Sequence, residues 1–133
     1  MQQREVFIGD ASVTVDGSVT ANLPDVELTT ISGVADDAGG NSVISAPESG
    51  KKIRIHAFQI QLEEAPTGSF QRVLIKSGTT ELWRYVGTAI ESGLTQTFMP
   101  GQELDGGDGE AISLDLAEAK DVGYVLRYRE VSA

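Results

Sequence analysis

The sequence lacks the side chains on which many catalytic and metal sites depend. Its 133 residues include no cysteine and a single histidine, His56. Without cysteine the chain has no disulfide, no thiol nucleophile and no thiolate metal site, and one histidine supplies too few ligands for zinc. We find no triad spacing, phosphate-binding glycine loop or nucleophile elbow. The sequence therefore predicts a protein that is not an enzyme and needs no cofactor, with His56 on the surface or on a sheet face.

The chain also lacks an excess of positive charge and any long apolar run. Twenty acidic residues face ten basic ones, which gives a formal net charge of −10. Such a chain is repelled by phosphate backbones and by anionic lipid surfaces, so neither nucleic acid nor a membrane is an expected partner. No segment approaches the roughly 18 apolar residues that a membrane-spanning helix requires. We expect the charge mainly to keep the protein soluble.

Apolar and polar residues alternate along most of the chain, with turn-forming glycine and proline pairs between the alternating runs. This pattern is typical of short, half-buried strands, and turns spaced about every ten residues are typical of a sandwich or barrel. We predict an all-β fold, an antiparallel and jelly-roll-like β-sandwich of about eight strands; a simpler sandwich or a partly closed barrel fits the same pattern. The predicted strands are 27–32, 42–46, 52–62, 69–77, 80–86, 94–99, 111–116 and 122–131.

The longest predicted strand changes phase in its middle. Ile53 and Ile55 occupy one phase of the alternation, whereas Phe58 and Ile60 occupy the other. Side chains on a strand alternate strictly by two, so the change of phase needs a structural cause. We predict either a β-bulge near Ala57 or a bend by which the strand passes from one sheet to the other.

The N-terminal part of the chain has a different pattern. Residues 1–40 are predicted to form an extended arm and hairpin, and residues 41–133 the sandwich, whose first strand starts there or already at 27. Asp16-Gly17 between β-branched residues is a strong hairpin signal, and Val6, Phe7 and Ile8 form a short apolar run ahead of it. An isolated hairpin is marginal in water, so this one must lie on the sandwich or on another chain. Val6, Phe7 and Ile8 are therefore candidate partner-binding residues.

One loop collects acidic residues among glycines. Asp105, Asp108 and Glu110 lie within six residues of chain that also contain three glycines. Calcium prefers carboxylate oxygens, but the spacing differs from that of an EF-hand loop. The main interpretation is a solvated turn, and a weak calcium site formed by these three residues is the alternative.

Two aromatic residues share one face of a predicted strand. Trp83 and Tyr85 are separated by Arg84, which faces the other way. Tryptophan is largely buried on average, which favours a place in the core. The same pair could instead form a subunit interface or a platform on which a sugar stacks, so Trp83 and Tyr85 are also candidate partner-binding residues.

The part of the chain from about Asn41 to Val131 resembles small structural proteins of tailed bacteriophages. The resemblance is a pattern of strands and turns and includes no active-site signature. It lies in the strings SVISA (42–46), SGKKIRI (49–55), VLIKSG (73–78), GEAISLDL (109–116) and VGYVLRY (122–128).

The resemblance implies a jelly-roll-like virion protein, made in the cytoplasm of the host bacterium. It would sit on the capsid surface as a decoration, or cement, protein that binds the major capsid protein and other copies of itself, usually as a homotrimer. Such proteins often attach through an N-terminal arm. A tail-fibre or receptor-binding module that recognises a host glycan or protein is the alternative, and a carbohydrate-binding domain is a further one.

Overall fold

The structure, a computed structural model, describes residues 27–133 and is all-β in that range. The described residues form no helix, and so none that is long and apolar enough to cross a membrane. The predicted arm and hairpin, with Val6, Phe7 and Ile8, lie outside the described residues. The strands are β1 (Thr29–Ala35), β2 (Gly39–Ile44), β3 (Lys51–Leu62), β4 (Gln71–Ser77), β5 (Thr80–Gly87), β6 (Gly93–Thr97), β7 (Leu104–Asp105), β8 (Ile112–Leu116) and β9 (Val122–Ser132).

The strands form two antiparallel sheets that pack face to face. The five-stranded sheet has the order β1-β9-β3-β6, and the short strand β7 pairs with β3 beside β6. The four-stranded sheet has the order β2-β8-β4-β5. Each sheet buries one face against the other, which is the arrangement of a β-sandwich.

The order of pairing is that of a jelly roll. When β7 is set aside, the first strand pairs with the last, β2 with β8, β3 with β6, and β4 with β5. These nested pairs are those of one long hairpin folded over so that its two arms contribute strands to both sheets, which gives eight strands and two Greek keys. The predicted antiparallel, jelly-roll-like sandwich is thus confirmed, with β7 as one strand more than the eight predicted.

The sandwich includes residues N-terminal to 41. Strand β1 pairs with β9 without interruption, from Thr29 opposite Tyr128 to Ala35 opposite Val122. A turn of three residues, 36–38, then carries the chain to β2 in the other sheet. Asn41 holds this turn, because its side-chain amide donates to the carbonyl oxygen of Asp37 at 2.9 Å.

A β-bulge accounts for the change of phase in β3. The register between β3 and β9 shifts between Ile55 and Ala57, so that His56 is the extra residue. The whole strand stays in the five-stranded sheet, which confirms the bulge rather than the passage between sheets. Because of the extra residue, Ile55 and Phe58 both face the core, at 0% and 2% exposure.

Both sheets supply the core through their alternating apolar residues. Among residues 27–133, two polar residues are also buried, and each has hydrogen-bond partners: the amide of Gln71 exchanges two bonds, of 2.8 and 3.0 Å, with the backbone of Glu118. The other, Ser77, donates to Glu110 and accepts from the Gly107 amide. Residues that are fully enclosed include Ile53, Ile55, Ile60, Leu62, Val73, Ile75, Ile112, Leu114, Val122 and Leu126.

Replacing Leu114 by alanine tests this core. Leu114 is fully buried in β8, between Asn41 of β2 and Ile75 of β4. The cavity left by Leu114→Ala should lower the free energy of unfolding by roughly 2–5 kcal/mol, measured by urea denaturation. Val86→Ala is the control, because Val86 is 47% exposed and its truncation should cost well below about 1 kcal/mol. Equal losses for the two variants would contradict the assignment of Leu114 to the core.

Candidate functional site

The outer face of the five-stranded sheet carries a cluster of charged and titratable side chains. Strand pairing brings it together: Arg54 lies opposite Asp105 of β7 on one side and opposite Arg129 of β9 on the other. Since directly opposed residues share a face, all three side chains point away from the core. We call the following set the polar cluster: Lys52, Arg54, His56, Glu103, Asp105 and Arg129.

Asp105 is the anionic centre of the polar cluster. Its carboxylate accepts two hydrogen bonds from the guanidinium of Arg54, at 2.8 and 3.0 Å, and lies 3.0 Å from the ammonium of Lys52. The hydrogen bonds from Arg54, with a further contribution from Lys52, hold the pKa of Asp105 at about 2. A paired, bidentate contact of this kind has a fixed geometry, so it holds the two-residue strand β7 against β3.

His56 lies between an arginine and a carboxylate. The Arg129 Nε–H donates to His56 Nε2 at 3.2 Å, which requires that nitrogen to be unprotonated and places the ring proton on Nδ1. Nδ1 lies 3.7 Å from a carboxylate oxygen of Glu103. Partial burial lowers the pKa of His56, and Arg129 and Arg54 lower it further, against the opposing effect of Glu103. The ring is therefore neutral at pH 7.

The geometry of the polar cluster suits a structural role. Both nitrogens of His56 face groups of the cluster, and the carboxylate of Asp105 is occupied by two cations. A general base needs a free nitrogen or oxygen within reach of a substrate proton, and these groups do not offer one. In residues 27–133, no three histidine or acidic side chains are arranged to hold a metal ion.

The structure does not bring together the carboxylates of the predicted calcium loop. Asp105 faces Arg54, whereas Asp108 accepts a hydrogen bond from the Gly50 amide at 2.7 Å. Glu110 accepts one from the hydroxyl of Ser77 at 2.8 Å. Each of the three carboxylates has a different partner, so the loop joins β3, β4 and β7 and does not converge on one point.

The structure places Trp83 and Tyr85 against the core. The Trp83 ring packs edge-on against Phe58 of the other sheet, with ring centres 5.5 Å apart, and against Phe98 at 5.7 Å. Tyr85 is partly buried and contacts the same core. Of the three interpretations, the structure favours the core, because the partly buried Trp83 ring packs against the core cluster and lies next to the rings of Phe58 and Phe98.

Strand β1 is an edge that the chain leaves unprotected among the described residues. It pairs with β9 on one side only, contains no proline or charged residue, and shows no shift of register. The edges at β2 and β5 have irregular register, and β5 also has charged Glu81 and Arg84. Strand β6, at the opposite edge of the five-stranded sheet, is also regular and uncharged, but it has five residues where β1 has seven. Proteins usually protect edges with charges, prolines or bulges, since open backbone groups can pair with another strand. The uncharged, regular edge of β1 is thus a candidate interaction surface.

Neither a protein-family model nor a curated protein sequence matches this chain. The fold, the polar cluster and the open edge are therefore the observations from which a function is proposed.

The polar cluster predicts how stability changes in acid. The pKa of Asp105 is about 2 in the folded chain, below its ordinary value of 3.8, so its contribution is full above about pH 4 and is lost as the pH falls through 2. At pH 7, Asp105→Asn should lower the free energy of unfolding by about 1 kcal/mol, a value that allows for solvent screening of a partly exposed pair. The difference from the natural protein should shrink between pH 4 and pH 2. Denaturation of the exposed-residue control Asp36→Asn should show neither effect.

His56 predicts a second pH dependence, at higher pH. Its pKa is lowered from 6.5 in the folded chain, so the unfolded chain takes up the proton first. The contribution to stability is full above pH 6.5 and is lost as the pH falls towards the lower, folded value. His56→Gln keeps an acceptor for Arg129 but does not titrate there, so the variant should lose less stability than the natural protein as the pH falls below about 6.5. Identical slopes in urea denaturation would contradict the placement of His56.

Proposed function

We propose that this protein is a structural protein of a tailed-bacteriophage virion, which binds the outside of the capsid and stabilises it as a decoration or cement protein. The observation that carries the proposal is the uncharged and regular edge of β1. Residues 1–26, which contain the apolar run Val6-Phe7-Ile8, lead directly to this edge. An added strand gains backbone hydrogen bonds along such an edge, which suits repeated contacts in an assembly.

The mechanism is stabilisation by binding to one state only. A protein that binds the assembled shell, and not its free subunits, shifts the equilibrium towards the shell by RT ln(1 + [L]/Kd) per site. The partners in this proposal are the major capsid protein and other copies of the chain, as a homotrimer. The jelly roll is compatible with this role, but the same fold serves many functions, so the support comes from the edge and from the resemblance of the strand sequences.

A receptor-binding module of the phage tail is the second candidate. It is favoured by a separate observation, an open depression with polar groups at its rim on the outer face of the five-stranded sheet, beside Arg127. A module of this kind would bind the surface of a host cell and would not bind empty capsids.

Co-sedimentation with empty capsids of the phage that encodes the chain tests the proposal. The full chain should sediment with capsids at a saturating, fixed ratio to the major capsid protein. Ser32→Lys combined with Val34→Lys places two charges on β1, where both residues are exposed, and should weaken binding at least about tenfold, since lysines protect edges from pairing.

The matched control is Thr80→Lys combined with Val86→Lys, at exposed positions of the edge strand β5. It adds the same charge to the other sheet and should bind as the natural protein does. Equal melting temperatures would show that both variants fold. If the full chain binds host cells and not capsids, the receptor-binding role replaces the decoration role as the proposed function. If the β1 variant binds capsids normally, the edge of β1 is not the contact with the capsid.

A further inference from the structure

An open depression of about 240 Å³ lies on the outer face of the five-stranded sheet, where β9, β3 and β6 run side by side. Strand register produces it. One row across the sheet places small Ala57 between Thr97 and Arg127, and the next row places Gln59 between Thr95 and Val125. Because Ala57 and Val125 are short, the longer side chains around them enclose a hollow, with apolar atoms on its floor and polar groups at its rim.

Arg127 gives the depression a positive charge. It is exposed, and within residues 27–133 it forms no ion pair, although acidic residues outnumber basic ones two to one. The neighbouring cations of this face are already engaged: Arg54 and Lys52 by Asp105, and Arg129 by His56. A guanidinium presents five N–H donors in a fixed fork that matches a planar carboxylate, so the group best suited to this position is a carboxylate.

The remaining rim is neutral and hydrogen-bonding. The side chains of Gln59, Thr95 and Thr97 line the depression and are not used in hydrogen bonds between described residues. An amide and two hydroxyls can each donate and accept, which suits the hydroxyl groups of a sugar. The volume is below the roughly 300–1,000 Å³ of sites for drug-sized molecules, and therefore fits a single sugar residue.

A second depression continues from the first towards β1. It shares Gln59 and Val125 with the first and is also lined by Ser32, Gln61 and Glu63. Its glutamate disfavours another acidic group at that end, whereas Ser32 and the glutamine amides suit neutral hydroxyls. The face can thus accept a chain that continues beyond one acidic residue, which is the form of a polysaccharide.

We propose that the depression binds an acidic sugar residue of the uronate class, with its carboxylate on Arg127 and its hydroxyl groups on Gln59, Thr95 and Thr97. The site binds its ligand without transforming it. It goes beyond capsid binding, because these residues belong to β3, β6 and β9 and not to the edge of β1. The virion would in this way hold the acidic polysaccharide of a cell surface while the edge serves assembly.

Titration of the full, ¹⁵N-labelled chain by NMR tests the site with three probes: methyl glucuronide, methyl glucoside and acetate. The glucuronide should shift the amide signals of Ala57, Gln59 and Val125. Its Kd should be at least about tenfold lower than that of either other probe, since the glucoside lacks the carboxylate and acetate lacks the hydroxyls. Absence of glucuronide binding, equal binding of acetate, or shifts confined to other residues would overturn the proposal.

Two arginine variants locate the charge. Arg127→Gln should weaken glucuronide binding at least about tenfold, to the level of the glucoside, and Arg127→Lys should be intermediate because lysine keeps the charge without the fork. Arg84→Gln is the control, since Arg84 is equally an exposed strand arginine but lies on the four-stranded sheet beside Glu81. It should bind as the natural protein does.

Because Arg127 is exposed, both variants at this position should keep the natural melting temperature. Normal glucuronide binding by folded Arg127→Gln would refute the assignment. Capsid binding depends on β1 in the proposal above, so Arg127→Gln should still sediment with capsids although its binding of the glucuronide is weakened. Failure of one proposal is thereby distinguished from failure of the other.

Discussion

The extra residue at His56 is the constraint on which the rest of the five-stranded sheet depends. Without it, a twelve-residue strand would turn half of its apolar side chains to solvent, because a shift of one residue reverses every side chain. At the same bulge, the strand that pairs with β3 at the edge of the sheet changes from β6 to β7. The carbonyl oxygen of His56 accepts a hydrogen bond from the Phe98 amide at 3.0 Å, just beyond the end of β6. It also turns the His56 ring to the outer face, between Glu103 and Arg129. The core, the sheet edge formed by β6 and β7, and the polar cluster therefore meet at His56.

The polar cluster determines which charges of this face remain available. Arg54 and Arg129 lie directly opposite each other on the neighbouring strands β3 and β9, and two positive charges in this position repel. Asp105 offsets the charge of Arg54, and the neutral ring of His56 gives Arg129 an acceptor without adding charge. In the next row across the sheet, two residues away along β9, no such compensation is present among the described residues, and Arg127 remains open to an external anion. The structural role of the cluster and the proposed binding role of Arg127 are thus complementary.

Local pattern was sufficient to predict the strands and the sandwich, because each strand shows its own alternation by two. For the phase change it left two alternatives, a bulge or a passage between the sheets, and the register of β3 with β9 was needed to decide between them. Local pattern could not predict β7, since two residues show no alternation. Local pattern also could not predict contacts between distant parts of the chain. Asp105 was a calcium candidate by composition, but its partner Arg54 lies 51 residues away in the sequence. Likewise, Arg129 lies 73 residues from its partner His56. The phase change was the one local signal that pointed to His56. Trp83 was ambiguous because its neighbours Phe58 and Phe98 come from other strands.

The pairing of the strands also gives the sandwich an acidic end. Ala35, Leu62 and Val122 meet at one end of the five-stranded sheet, so the connections that follow or precede them lie together. These connections carry Asp36 and Asp37, Glu63 and Glu64, and Glu118 and Asp121. Strand β1 starts away from this end, with Thr29 opposite Tyr128, so the N-terminal segment joins the sandwich on the less acidic side. In the proposed role as a decoration protein, copies held at high density on a particle would repel one another most where these carboxylates face each other. Attachment through the N-terminal side would leave the acidic ends towards solvent, where water and salt screen them, and would keep the edge of β1 beside the proposed binding surface.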